Sequence, residues 1–188
     1  MIVVADPAGI ARAGSLAFSD SLKMVTFDEA NIARARNLGI VQAAGEIVAF
    51  IDDDAVPEPY WLHHLLAPAQ DQSVAAFTGF VRGRNGISFQ YRARQLDSRG
   101  EAVPLEVDPE VPTVLPAPEA GAIQTEGTNM AFRRGGPVAR GGFDPAVHQF
   151  LDGTDLDTRP ARPAAGRASS PFAGEHARMS SRRRSGAR

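Results

Sequence analysis

Apolar and polar positions along this chain fall into short blocks that predict separate elements. Ile2-Val3-Val4 is an apolar run stopped by Asp6-Pro7, which predicts a buried strand broken by a loop. Ala8 to Ser21 is small and polar with little periodicity and predicts no element. Met24 to Phe27 predicts a second short strand. From Asp28 onward, Ile32, Ala35, Leu38, Gly39 and Ala43 recur at helical spacing. Asp28 is the expected N-cap, Glu29 complements the helix dipole, and Gly45 is the expected C-cap. Ile47 to Ile51 is short, branched and aromatic, and predicts a fully buried strand of a parallel sheet. It runs directly into Asp52, Asp53 and Asp54.

Beyond the triplet, Pro57-Glu58-Pro59 predicts a helix start, with Trp61, Leu62, Leu65 and Leu66 as its apolar stripe and His63 and His64 at the surface. Ser73 to Val81 predicts a strand and Asn85-Gly86 a tight turn. Ile87 to Leu96 fits a strand or a helix. Residues 97–122, with five prolines among acids, predict a connecting loop. Thr128 to Phe132 predicts a strand and Gly141 to Asp144 a turn. Phe150 to Asp157 is a second acidic cluster entering a helix. From Arg159 no period survives, and residues 159–188 are expected to be a disordered tail behind one domain over residues 1–158.

Composition narrows the chemistry. The chain has 188 residues, enough for one domain with a tail, and 43% are hydrophobic, enough for a core. It has no Cys, so disulfides and thiolate metal sites are excluded, and four scattered His make no zinc pattern. No apolar run approaches the roughly 20 residues that span a bilayer. Met1 to Gly14 lacks a secretory signal, so a cytoplasmic protein is expected. Residues 159–188 hold eight Arg against Glu175, a net +7, which leaves −9 for residues 1–158 of the chain's −2. Such a tail fits weak contact with anionic lipid, or simple solvation; no nucleic-acid partner is expected.

The triplet is the main chemical candidate. Ligands of open α/β sheets bind beyond the carboxyl ends of strands. Adjacent carboxylates suit Mg²⁺ or Mn²⁺, and Mg²⁺ is usually held by one or two carboxylates plus substrate phosphates. The triplet alone fits a metal–diphosphate site or a solvated acidic turn. Arg36, beside Asn31, Arg34 and Asn37, fits a phosphate contact or a solvated helix face.

Five segments in order carry a resemblance: Ala35-Arg36-Asn37-Leu38-Gly39-Ile40, Ala44 to Asp54, Gly127 to Arg134, Gly141-Gly142-Phe143-Asp144, and the Asp152 cluster. From Asn31 to about Asp157 the chain resembles the family 2 glycosyltransferases. The resemblance implies an α/β fold, a partial GT-A (Rossmann-like) nucleotide-sugar-binding sheet flanked by helices. It implies inverting transfer of a sugar from a nucleotide-diphosphate sugar to a saccharide or lipid-linked acceptor, with Mg²⁺ or Mn²⁺. Asp6, Arg36, Asp52 and Asp53 would lie on the donor side, Asp54 would be the metal ligand, and Asp152 or Asp155 would deprotonate the acceptor hydroxyl. The protein would be cytoplasmic, peripheral at the inner membrane face.

Three departures accompany the resemblance. Ile2 to Asp6 fits the family's second strand, so its first is expected to be missing. The second acid of the family's acidic pair falls at Gly153. The Arg-Pro-Ala-Gly tail replaces the elements expected after Leu156, as a reading-frame change would. A truncated or frame-shifted transferase, or a nucleotide-sugar-binding remnant without turnover, is therefore an alternative. The run Phe50 to Val56 also resembles haloacid dehalogenase-type hydrolases, but those need a Lys after the motif, and the only one, Lys23, precedes it.

Overall fold

The structure, a computed structural model, describes residues 1–108, 111–147, 152–159 and 166–177, with backbone alone for Asp152 and 166–177. The chain opens with β1 (Ile2–Ala5), α1 (Pro7–Gly14) and β2 (Lys23–Thr26), and β1 pairs parallel with β2 from Ile2↔Lys23 to Ala5↔Thr26. The unexpected helix is α1. Asp6 has extended backbone and accepts from Gly9 N at 2.6 Å, while Pro7 occupies the first turn. In sequence Asp6-Pro7 reads only as a strand stop, and the small residues that follow hide the helical period.

The next helix, α2 (Ile32–Gln42), starts later than expected. Its N-cap is Asn31, whose side chain accepts from Arg34 N at 2.9 Å, so Asp28 is not the cap. Glu29 pairs instead with exposed Arg34 at 2.7 Å. The helix ends on Ala43 in extended backbone, so Gly45, which lacks the left-handed conformation, is not its C-cap.

Then follow β3 (Ile47–Ile51), β4 (Ala55–Pro57), α3 (Trp61–Leu66) and β5 (Val74–Arg82). Every residue of β3 is half-buried rather than fully buried. The expected helix start at Pro57 is a strand end, and α3 begins after Tyr60, the one non-glycine at positive φ (63°) among the described residues. Ile87 to Leu96 resolves into two strands, β6 (Phe89–Tyr91) and β7 (Arg94–Leu96). The expected loop at 97–122 contains β8 (Ala102–Pro104), β9 (Thr113–Leu115) and β10 (Ala122–Ile123). The chain continues through β11 (Asn129–Arg133), α4 (Gly135–Ala139), α5 (Asp152–Thr158) and β12 (Gly166–Ala177). Of the expected tail, β12 is a strand paired with β4, β5 and β9, and residues 160–165 and 178–188 lie outside the described residues.

Contacts group the chain into two compact units, Met1–Val48 with Phe132–Pro163, and Ala49–Ala131 with Ala164–Arg188. The core of the first contains Ala33, Ile40, Phe132, Phe143 and Leu156, with the two phenyl rings edge-to-face at 6.4 Å. The core of the second contains Leu65, Val74, Phe77, Phe80, Val81 and Met130, where β5 is the most buried strand. A larger sheet runs in the order β3-β11-β5-β12-β4, and a smaller one β10-β7-β8. Glu46 O accepts from Arg134 N just before β3, and Asp52 meets Thr128 just after it, so β11 runs antiparallel to β3 and the sheet is mixed. The chain is α/β, with helices against its sheets. Among the described residues no helix is long and apolar enough to cross a membrane.

Candidate functional site

Strand β3 delivers the acid triplet into a turn closed by Ala55 N to Asp52 O at 3.2 Å. The three carboxylates then differ. Asp52 is half-buried and its Oδ2 accepts from Thr128 Oγ1 at 3.0 Å. Asp53 and Asp54 are exposed, and among the described residues neither has a hydrogen bond or ion pair.

Thr128 is fixed by its neighbour. Asn129 is fully buried and donates through Nδ2 to Phe80 O at 3.2 Å. Its Oδ1 accepts from Trp61 Nε1 at 2.9 Å, and its backbone O from Thr78 Oγ1 at 3.0 Å. One amide therefore ties α3, β5 and β11 together beside the residue that holds Asp52. Trp61 is thus a hydrogen-bonding residue as well as part of an apolar stripe. Gly127-Thr128-Asn129 stood out in sequence, but nothing local to it named Asp52 as the partner.

In the other unit, α2 faces the Gly142–Pro145 loop. The Asn37 side-chain amide bonds Phe143 twice, donating to its O and accepting from its N, both at 2.8 Å. Asn31 Nδ2 reaches Pro145 O at 3.0 Å. Gly142 has φ 78°, and a Cβ there would lie 2.4 Å from Asn37 Oδ1. Only glycine permits that approach. Arg36 is half-buried, with its guanidinium 5.5 Å from the centre of the Phe143 ring. Asp6 serves as the cap of α1.

The second acidic cluster forms α5. Asp155 is ion-paired with Arg159, which also donates to the carbonyls of Arg140 and Gly142. Arg159, read in sequence as the first tail residue, is thus anchored to the body. Asp157 is buried, 4% exposed. The expected position of Asp152 on α5 is confirmed in backbone alone.

No three His, Asp or Glu side chains among the described residues converge as a ready-made metal cage. The exposed Asp53 and Asp54 carboxylates instead fit the donor chemistry of a hard cation that arrives with phosphates. A shallow groove of about 400 Å³ lined by Leu62, His63, Leu66, Ala67 and Gln70 contains none of the expected site residues.

The profile described as Glycosyl transferase family 2 matches residues 10–135. The chain belongs to this family, and its α/β architecture is consistent with a partial GT-A fold. Glycosyl transfer, from a nucleotide-sugar donor to an acceptor, is the family's chemistry. The matched span takes in Arg36, the acid triplet and Thr128-Asn129; it leaves out Asp6 and α5. Among curated proteins no relative matches this chain.

Proposed function

We propose that this chain transfers a sugar from a nucleotide-diphosphate sugar to an acceptor hydroxyl with inversion, and that the acid triplet binds the donor. The observation that supports this is the split within the triplet. Asp52 is held by Thr128, while Asp53 and Asp54 stand in solvent at the carboxyl end of a strand, inside the family-matched span. Exposed adjacent carboxylates with no partner among the described residues serve no packing purpose. Asp54 would hold Mg²⁺ or Mn²⁺, and Asp52 and Asp53 would accept from donor hydroxyls, with Arg36 and Asp6 completing the donor side as the family resemblance implies. When bound, the cation offsets charge that grows on the leaving diphosphate.

On the acceptor side, Asp152 or Asp155 would take the hydroxyl proton. The acceptor oxygen then bonds to the anomeric carbon as the carbon–oxygen bond to the diphosphate breaks, and the electron pair leaves with the diphosphate. Asp155 must give up its Arg159 contact to serve. That engagement favours a second reading, donor binding without turnover.

Titration of the full chain with UDP- and GDP-sugars and Mn²⁺ tests both. Metal-dependent binding should fall at least about 100-fold in Asp54→Ala, the loss of a metal ligand. Unchanged binding in that variant refutes the metal role. Released nucleotide diphosphate with added acceptor supports transfer; binding without release supports the second reading.

A further inference from the structure

Besides the Arg-rich C-terminal stretch, the chain has a second run of arginines without acids, and it lies among the described residues. Between Asp71 and Asp97 there is no acid but four arginines, Arg82, Arg84, Arg92 and Arg94, in a body of net −9. Arg82 ends β5, Arg94 begins β7, and Arg84 and Arg92 lie in the connections on either side of β6. The β5–β6 turn is firmly built. Asn85 Oδ1 accepts from Ile87 N and Ser88 N, both at 3.0 Å, Gly86 has φ 68°, and Gly83 N donates to Ser88 O at 2.8 Å. Ile87, at its tip, is 79% exposed.

The four arginines are not equivalent. Arg82 is used within the fold, in an ion pair with Glu58 at 2.8 Å. Arg94 lies 4.2 Å from the centre of the Tyr91 ring, and the Tyr91 phenol is pushed above its usual value by burial first and by Glu126 next, so a carboxylate already serves that end. Arg84 and Arg92 are exposed and have no carboxylate partner among the described residues. Arg92 rests 5.0 Å from the centre of the Phe89 ring, which orients its guanidinium and leaves its N–H edge open.

We propose that this hairpin docks on an anionic lipid surface, with Arg84 and Arg92 on headgroup phosphates and Ile87 at the acyl boundary. A soluble phosphate would satisfy the two arginines but gives no role to the exposed isoleucine at the tip of the turn, which lies between them in sequence. A headgroup layer matches both chemistries at once.

The test is co-sedimentation of the full chain with phosphatidylcholine vesicles, with and without about a third phosphatidylglycerol. The parent should bind only the anionic vesicles. Arg84→Gln with Arg92→Gln should partition about 30-fold more weakly, at about 1 kcal/mol per arginine near such a surface. Ile87→Ser should weaken partitioning further at high salt, where the apolar contribution dominates. Both variants should keep the parent's melting temperature and donor affinity. Equal partitioning of the double variant would assign membrane contact to the C-terminal arginines and overturn the proposal. So would release from vesicles by millimolar inorganic phosphate, or equal binding to neutral vesicles.

Discussion

At the end of β3, Asp53 and Asp54 are exposed with no protein partner among the described residues, whereas in α5 Asp155 is bound to an arginine that also holds two backbone carbonyls. In sequence the two clusters look alike, acids following an apolar run. The difference separates two uses of a carboxylate. One bonded to an arginine and, through it, to the backbone contributes to the fold. One left in solvent contributes nothing to stability and is available to a ligand. Substitutions in the α5 region should therefore act on folding, and those in the triplet on binding.

The largest effect is expected where the first unit is most tightly built. Gly142→Ala should destabilise by about 2 to 4 kcal/mol, combining about 1 to 2 for a side chain in left-handed backbone with lost Asn37 hydrogen bonds of about 1 each. Gly141 has φ 83° but nothing within 4 Å of a Cβ, so Gly141→Ala should show the backbone cost alone. Urea denaturation of the two variants gives the difference. Equal losses would mean that the Asn37–Phe143 bridge adds little.

That bridge also marks the limit of what sequence could reveal. The strand into the triplet was legible because its apolar run and its acids are contiguous. The Asn85-Gly86 and Gly141-Gly142 turns were legible for the same reason, since glycine supplies the positive φ within a few residues. The Asn37–Phe143 pair spans 106 positions and the Thr128–Asp52 pair 76, and no local pattern names such partners. At the start of α2, Asp28 and Asn31 are both good caps by type; Asn31 prevails, and it alone has a second tie, to Pro145 O. The small strands within 97–122 were hidden because prolines and acids set the composition, while the pairing is made by backbone.

An intermediate effect is expected at Asp155. Asp155→Asn weakens a partly buried i,i+4 pair and should cost about 1 to 2 kcal/mol. A double-mutant cycle with Arg159→Gln should recover a coupling energy of about 1 kcal/mol, while donor titration should give the parent's affinity. A zero coupling energy would place Asp155 with the triplet, as a carboxylate free for chemistry, and the contrast between the clusters would fail.

The smallest effect on folding is expected at Asp53. Asp53→Asn removes one of three adjacent like charges from an exposed turn and breaks no bond found among the described residues. Stability should stay within about 0.5 kcal/mol of the parent, on the side of a gain at low ionic strength, where neighbouring charges repel most. Raising salt should erase the gain, because exposed charges are screened within about 10 Å at 0.1 M. Adding Mn²⁺ and a nucleotide-diphosphate sugar should reverse the sign, since the parent would gain more from binding than the variant. A loss well above 1 kcal/mol without ligand would show that Asp53 supports the turn as Asp155 supports α5, and the triplet would then be a structural feature rather than a binding one.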